Sequence, residues 1–175
     1  MRHMKHFLIL LFSIFIFSGC IAKYNQNLDN TSILSNKVDK LAKQIQSLSN
    51  SINKDESEDF AFNAITHSKY LARKYDVVGP ALFHNTLINM NIKQRGLCYH
   101  YANDLLKFLS KKRYKSFKLI RAVSNKNEYF EHTSIVLLTE NTEFKNGIVL
   151  DAWRNTGELF FSKVKNDTRY KWEIK

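Results

Sequence analysis

The chain has 175 residues, room for one domain with a small appendage, and its 44% hydrophobic and 13% aromatic content exclude a globally disordered protein. It carries +11 at neutral pH, a balance that suits an anionic neighbour such as lipid headgroups, cell-wall polymer or nucleic acid. The charge is dispersed, with Lys111, Lys112 and Arg113 as the only run of three, so most of it reads as solvated surface.

Residues 1–19 read as an export signal. Arg2 and Lys5 supply a basic start, and Phe7 to Phe17 is an uncharged run of eleven residues. A spanning helix needs about 20 apolar residues, so this run matches the core of a signal peptide instead. Phe17-Ser18-Gly19-Cys20 then sets small residues immediately before a cysteine. The segment resembles the lipobox of bacterial lipoproteins, with Phe17 where leucine is usual. That resemblance implies a chain cut before Cys20, acylated on its thiol and held to the membrane by the lipid. Cleavage removes Arg2 and Lys5 and leaves 25 basic against 16 acidic residues, or +9. Ile21 stands where an aspartate would resemble an inner-membrane retention signal, so the expected place is the outer membrane, facing the periplasm. Export also removes nucleic acid from the expected partners.

Residues 20–33 are polar and rich in Asn, and read as a flexible tether. Over residues 34–54 the apolar positions are Leu34, Val38, Leu41, Ile45, Leu48 and Ile52. Their alternating spacing of four and three is the seam of a short coiled coil. Two readings follow: an amphipathic helix lying on the domain or the membrane, or self-association through residues 34–52.

Residues 55–175 form the expected globular domain. Asp55 and Glu58 resemble a capping box opening a helix to about Lys74, with Phe60, Ala64, Leu71 and Tyr75 on its buried face. Gly79-Pro80 starts a second helix over Leu82 to Met90. Lys93 to Leu97 is a loop containing Gly96, and a third helix runs from Cys98 to about Lys111. Beyond Arg113 the segments Phe117–Val123, His132–Leu138, Ile148–Ala152 and Leu159–Phe161 are β-branched and aromatic, and read as an antiparallel sheet. Helices followed by strands predict an α+β domain.

Acylation of Cys20 would leave Cys98 as the free thiol of an exported protein. It is either a reactive group or a small buried hydrophobe. Its position at a helix N-terminus favours a thiolate, because unpaired amides and a partial positive charge face it. His132 opens an apolar strand, where a scaffold would hold a general base. Asp151 closes the next strong strand, from which a carboxylate could bond one imidazole nitrogen and leave the other facing the thiol.

Arg95-Gly96-Leu97-Cys98-Tyr99-His100-Tyr101-Ala102 resembles the nucleophile motif of transglutaminase-like cysteine enzymes. Glu131-His132-Thr133-Ser134-Ile135-Val136 is similar to their histidine strand, and Val149-Leu150-Asp151-Ala152-Trp153 to their aspartate strand. The likeness covers residues 95 to 155 in the order Cys, His, Asp. It implies a papain-like α+β core and acyl transfer from a peptide amide through a thioester, which needs no cofactor; Cys98 and His100 with His84 do not match a structural zinc spacing, so no metal is expected. Thr133 departs from the alanine and tryptophan that often follow the family's histidine. Gln94 is the best upstream candidate for helping the Cys98 amide bind an oxyanion. Trp153 walls the site or fills the core, and Arg154 either binds a substrate carboxylate or sits on the surface. His100, two positions past Cys98, points to another helix face.

The leading expectation is a membrane-tethered envelope hydrolase or acyltransferase acting on protein or wall peptide. The alternative is a catalytically silent lipoprotein that uses the same fold to bind an envelope partner. A separate class of peptidoglycan amidase shares the cysteine and histidine but usually has another polar third residue, which Asp151 argues against.

Overall fold

A computed structural model describes residues 31–175; the stretch read as an export signal, Cys20 and the expected tether up to residue 30 lie outside the described residues. Among the described residues, four α-helices precede a five-stranded antiparallel sheet, the α+β order expected. The helices are α1 (Thr31–Gln46), α2 (Lys54–Lys74), α3 (Ala81–Asn89) and α4 (Cys98–Ser110). The strands are β1 (Lys118–Ser124), β2 (His132–Leu138), β3 (Ile148–Asp151), β4 (Phe160–Lys163) and β5 (Glu173–Ile174). Their order across the sheet is β4-β3-β2-β1-β5.

Strand β2 is central, and all seven of its residues are buried. The period-2 alternation of a strand sends Ile135 and Leu137 into the main core beneath the helices. Val136 and Leu138 enter a second core on the opposite face, with Val149, Val164 and Trp172. A strand covered on both sides loses its polar alternation, which is why His132 to Leu138 reads as a nearly continuous apolar run. The second core is closed by the last residues of the chain, which carry β5 and Trp172.

Helix α1 is part of this domain rather than a stalk before it. Leu41 and Ile45 are 0% exposed, and Leu34, Val38, Leu48 and Ile52 pack against the same main core. The stripe spaced by fours and threes is thus covered by the chain's own helices, and the surface that self-association through residues 34–52 would use is already occupied. The helix also begins at Thr31, inside the expected tether, and ends at Gln46.

Asn53, not Asp55, caps α2: its side chain accepts the Glu56 N–H at 3.0 Å. Glu56 instead reaches across the chain to accept the amides of Lys115 at 2.8 Å and Ser116 at 2.9 Å. That contact ties the start of α2 to the entry of the sheet. The expected buried face of α2 is as the periodicity predicts, with Phe60, Ala64, Leu71 and Tyr75 all buried. Among the described residues no helix is long and apolar enough to cross a membrane.

Leu41→Ala removes a fully buried side chain and is expected to destabilise the domain by about 2–5 kcal/mol. In urea the midpoint should fall and not vary with protein concentration. A midpoint that rises with concentration would place the stripe between copies of the chain instead.

Candidate functional site

The loop before Cys98 is pinned from three directions. Gly96 has φ +127, a conformation that side chains rarely adopt, and a Cβ there would lie 2.3 Å from Nε2 of His84. The same His84 Nε2 donates to the Arg95 carbonyl at 2.8 Å, while its Nδ1 accepts the Val78 N–H at 3.2 Å. His84 is 0% exposed and has both ring nitrogens occupied by backbone, so it is a strut for this loop. From the helix side, His100 Nδ1 accepts the N–H groups of Gly96 and Leu97, each at 3.2 Å. Burial and the nearby Arg95 guanidinium hold the His100 pKa below its ordinary value, which keeps that nitrogen an acceptor. Finally Arg95 pairs with Asp104 at 3.0 Å, and Tyr75 donates to the same carboxylate at 2.8 Å. Cys98 therefore starts α4 from a fixed platform. It is half-buried, and its thiol faces the Glu131 carbonyl at 4.0 Å, beside the first residue of β2.

Strand geometry brings the other two residues together. In the antiparallel pairing of β2 with β3, Ile135 lies opposite Leu150, so Asp151 falls opposite Ser134. His132 and Asp151 are then diagonal neighbours on one face. His132 Nε2 donates to Asp151 Oδ2 at 2.7 Å, with His132 3% and Asp151 1% exposed. His132 Nδ1 is buried and has no hydrogen-bond partner. The ring is held by Trp153, Tyr170 and Trp172, at centroid distances of 4.8, 4.5 and 5.2 Å.

Asp151 has all its acceptor positions filled. Oδ1 takes the N–H groups of Trp153 at 3.0 Å and Arg154 at 3.2 Å, and Oδ2 takes His132 Nε2 and Arg154 Nε, both at 2.7 Å. Arg154 continues the chain to Asp167, with bonds of 2.5 and 3.2 Å, and lies over the Phe160 and Tyr170 rings. Asp167 also accepts from Trp172 Nε1 at 2.8 Å. Arg154 is thus neither a surface residue nor a substrate reader: its side chain is 5% exposed and engaged by two carboxylates.

Burial opposes charging His132, but the Asp151 carboxylate outweighs it and, with Cys98 contributing, raises the pKa from the ordinary 6.5 to about 9. Burial likewise disfavours the Asp151 anion, yet His132 and Arg154 hold its pKa down at about 2. The arrangement can store a proton on the imidazole and leaves Nδ1 of the neutral ring without a partner.

Cys98 and His132 line one cavity of about 260 Å³. Trp153 walls it, which settles its position as both buried and site-facing. Gln94 is exposed on the loop and takes no part in the wall. Asn85 of α3 is there instead, its Oδ1 accepting from Trp153 Nε1 at 3.2 Å. Asn85, Asp167, Tyr170 and Trp172 were not legible as site residues: Asn85 sits in an ordinary helix, and the others lie between β4 and a last strand only two residues long. The aromatic-basic stretch Arg169-Tyr170-Lys171-Trp172 was the available signal. Among the described residues, no group of three His, Cys, Asp or Glu side chains is placed to hold a metal ion. Comparison with protein-family models, with curated proteins and with solved structures finds no match to this chain.

The two shifted groups define a pH window for stability. The His132 contribution is complete below about pH 6.5 and is lost as pH rises through 9; that of Asp151 is complete above about pH 3.8 and is lost as pH falls through 2. The gap in urea midpoint between wild type and His132→Gln should therefore be widest at about pH 4–6.5 and narrow as pH rises through 9. A gap that stays constant from pH 6 to 9 would contradict the buried ion pair.

Proposed function

We propose that this chain is a lipid-anchored cell-envelope cysteine hydrolase or acyltransferase, acting on peptide amides with a transglutaminase-like core. One observation carries the reading: the buried His132 ring is held at Nε2 by Asp151 with no partner on Nδ1, and His132 and Cys98 line the same cavity. Further support comes from the order of the parts, a cysteine opening a helix followed by histidine and aspartate on adjacent strands, which is the order the motif resemblance implies.

The reactive form is the one in which His132 Nδ1 already holds the Cys98 proton, and from it the sulfur attacks the amide carbonyl carbon. The carbonyl oxygen becomes an anion. Its donors are the Cys98 backbone N–H, at the start of α4, and the Asn85 side-chain amide, whose oxygen is already occupied by Trp153. The C–N bond then breaks as His132 returns the proton to the leaving nitrogen, and a thioester remains on Cys98. Water, or an amine in the transfer reaction, loses a proton to His132 as it attacks the thioester. The C–S bond breaks, the thiol regains that proton, and an acid or a new amide departs. Asp151 holds the ring orientation and stabilises its cation throughout. These steps call for no cofactor.

The anchor in this proposal is the lipid on Cys20. Ten residues separate Cys20 from Thr31, where α1 begins. Fully extended they reach roughly 35 Å, so the domain would work close to the membrane face, against wall peptide or proteins held there.

Iodoacetamide labelling at pH 6.5, read as the mass of the peptide carrying Cys98, tests the nucleophile. The wild type should be labelled in the native state, and His132→Ala should slow labelling at least about tenfold. A thiol labelled only after denaturation, or equally fast without His132, would favour the silent binding protein.

A further inference from the structure

The cavity beside Cys98 carries one charge that acyl transfer does not use. Of the charged groups on its wall, Glu131 is occupied: its carboxylate accepts from Lys175 Nζ at 2.7 Å and from the Asn127 N–H at 3.0 Å. Arg154 lies behind the wall, held by Asp151 and Asp167. Arg169 differs from both. It lines the cavity, is exposed, and has no carboxylate paired with its guanidinium among the described residues.

Its position is nonetheless built. The Arg169 backbone N–H is bound to Asp167 Oδ1 at 3.1 Å, so the residue is rooted on the carboxylate that ends the buried charge chain. Its guanidinium lies over the Tyr170 ring at 5.3 Å, and that ring touches His132 at 4.5 Å. Stacking on an aromatic face fixes the guanidinium plane and leaves its N–H donors free for a planar anion. The rim also carries Leu82, Tyr129 and Phe130, which are 53%, 90% and 66% exposed, with Asn125 and the occupied Glu131 as polar neighbours.

We propose that Arg169 reads a carboxylate on the acyl donor, so that the substrates are acidic peptides cleaved or transferred beside a carboxylate-bearing residue. This inference rests on the reading of Cys98 as the nucleophile. A guanidinium and a carboxylate pair through two parallel hydrogen bonds, a geometry that a neutral side chain cannot match. The cavity of about 260 Å³ admits little more than one residue, so the carboxylate recognised must lie at or next to the acyl carbonyl. The substrate carboxylate that the sequence pattern offered to Arg154 goes to Arg169 instead.

Two reagents of nearly the same size and the same leaving group separate the possibilities: iodoacetate carries a carboxylate, and iodoacetamide is neutral. The full chain is treated with each at low salt and pH 6.5, and the rate at Cys98 is read from the mass of its peptide, apart from Cys20. The ratio of the iodoacetate rate to the iodoacetamide rate should fall about fivefold in Arg169→Gln, and Arg169→Lys should retain most of it. In the wild type the ratio should also drop at about 0.5 M NaCl, by more than it does in Arg169→Gln. An unchanged ratio in Arg169→Gln, with Cys98 labelled at measurable rates, overturns the role of Arg169 and leaves the nucleophile standing. Failure of both reagents at Cys98 in the native chain overturns the nucleophile and this inference together.

Discussion

Burying the carboxylate of Asp151 costs several kcal/mol in lost hydration unless cations and hydrogen-bond donors replace the water. Here two backbone amides, one imidazole and one guanidinium replace it, each on a separate acceptor position. The guanidinium is itself buried and needs a second anion, which Asp167 provides. Charges of alternating sign therefore run from His132 through Asp151 and Arg154 to Asp167, within a wall of Tyr170, Trp172 and Phe160. The fold depends on this chain at its closing edge, because Asp167 and Trp172 bring the final segment back onto β1 and the second core. The site depends on it too. With Nε2 tied to Asp151, the only imidazole nitrogen left for chemistry is Nδ1.

The parts legible in the sequence are those set by local pattern. Strand β2 spans His132–Leu138, as its β-branched run predicts, and α4 begins at Cys98, as the preceding glycine loop predicts. The pairing of His132 with Asp151 was legible because both end strongly apolar strands, and the diagonal contact then needs only that the strands be neighbours. Position along the chain could not reveal partners supplied from far away. Arg154 looks like a surface residue until Asp167, thirteen positions later, folds back onto it. The apolar spacing of α1 describes a stripe but not its partner, and that partner is the domain's own core. Gln94 is near Cys98 in sequence yet faces solvent, whereas Asn85, thirteen residues upstream, is delivered by α3 and oriented through Trp153.

The histidines show how the same side chain takes unlike roles by environment. His84 and His100 bind backbone groups on the two sides of Gly96 and hold the loop that delivers Cys98. His132 alone of these three combines a carboxylate partner with a buried nitrogen that has none. That asymmetry sets His132 apart from the two rings that hold the loop.

Nuclear magnetic resonance of the 15N-labelled His132 ring addresses the central interaction without any substrate. The imidazole should hold its second proton until about pH 9, and above that the remaining proton should stay on Nε2, against Asp151. A ring that titrates near 6.5, or a neutral form protonated on Nδ1, would mean that the buried charge chain does not govern His132, and the proposed catalyst would fall with it.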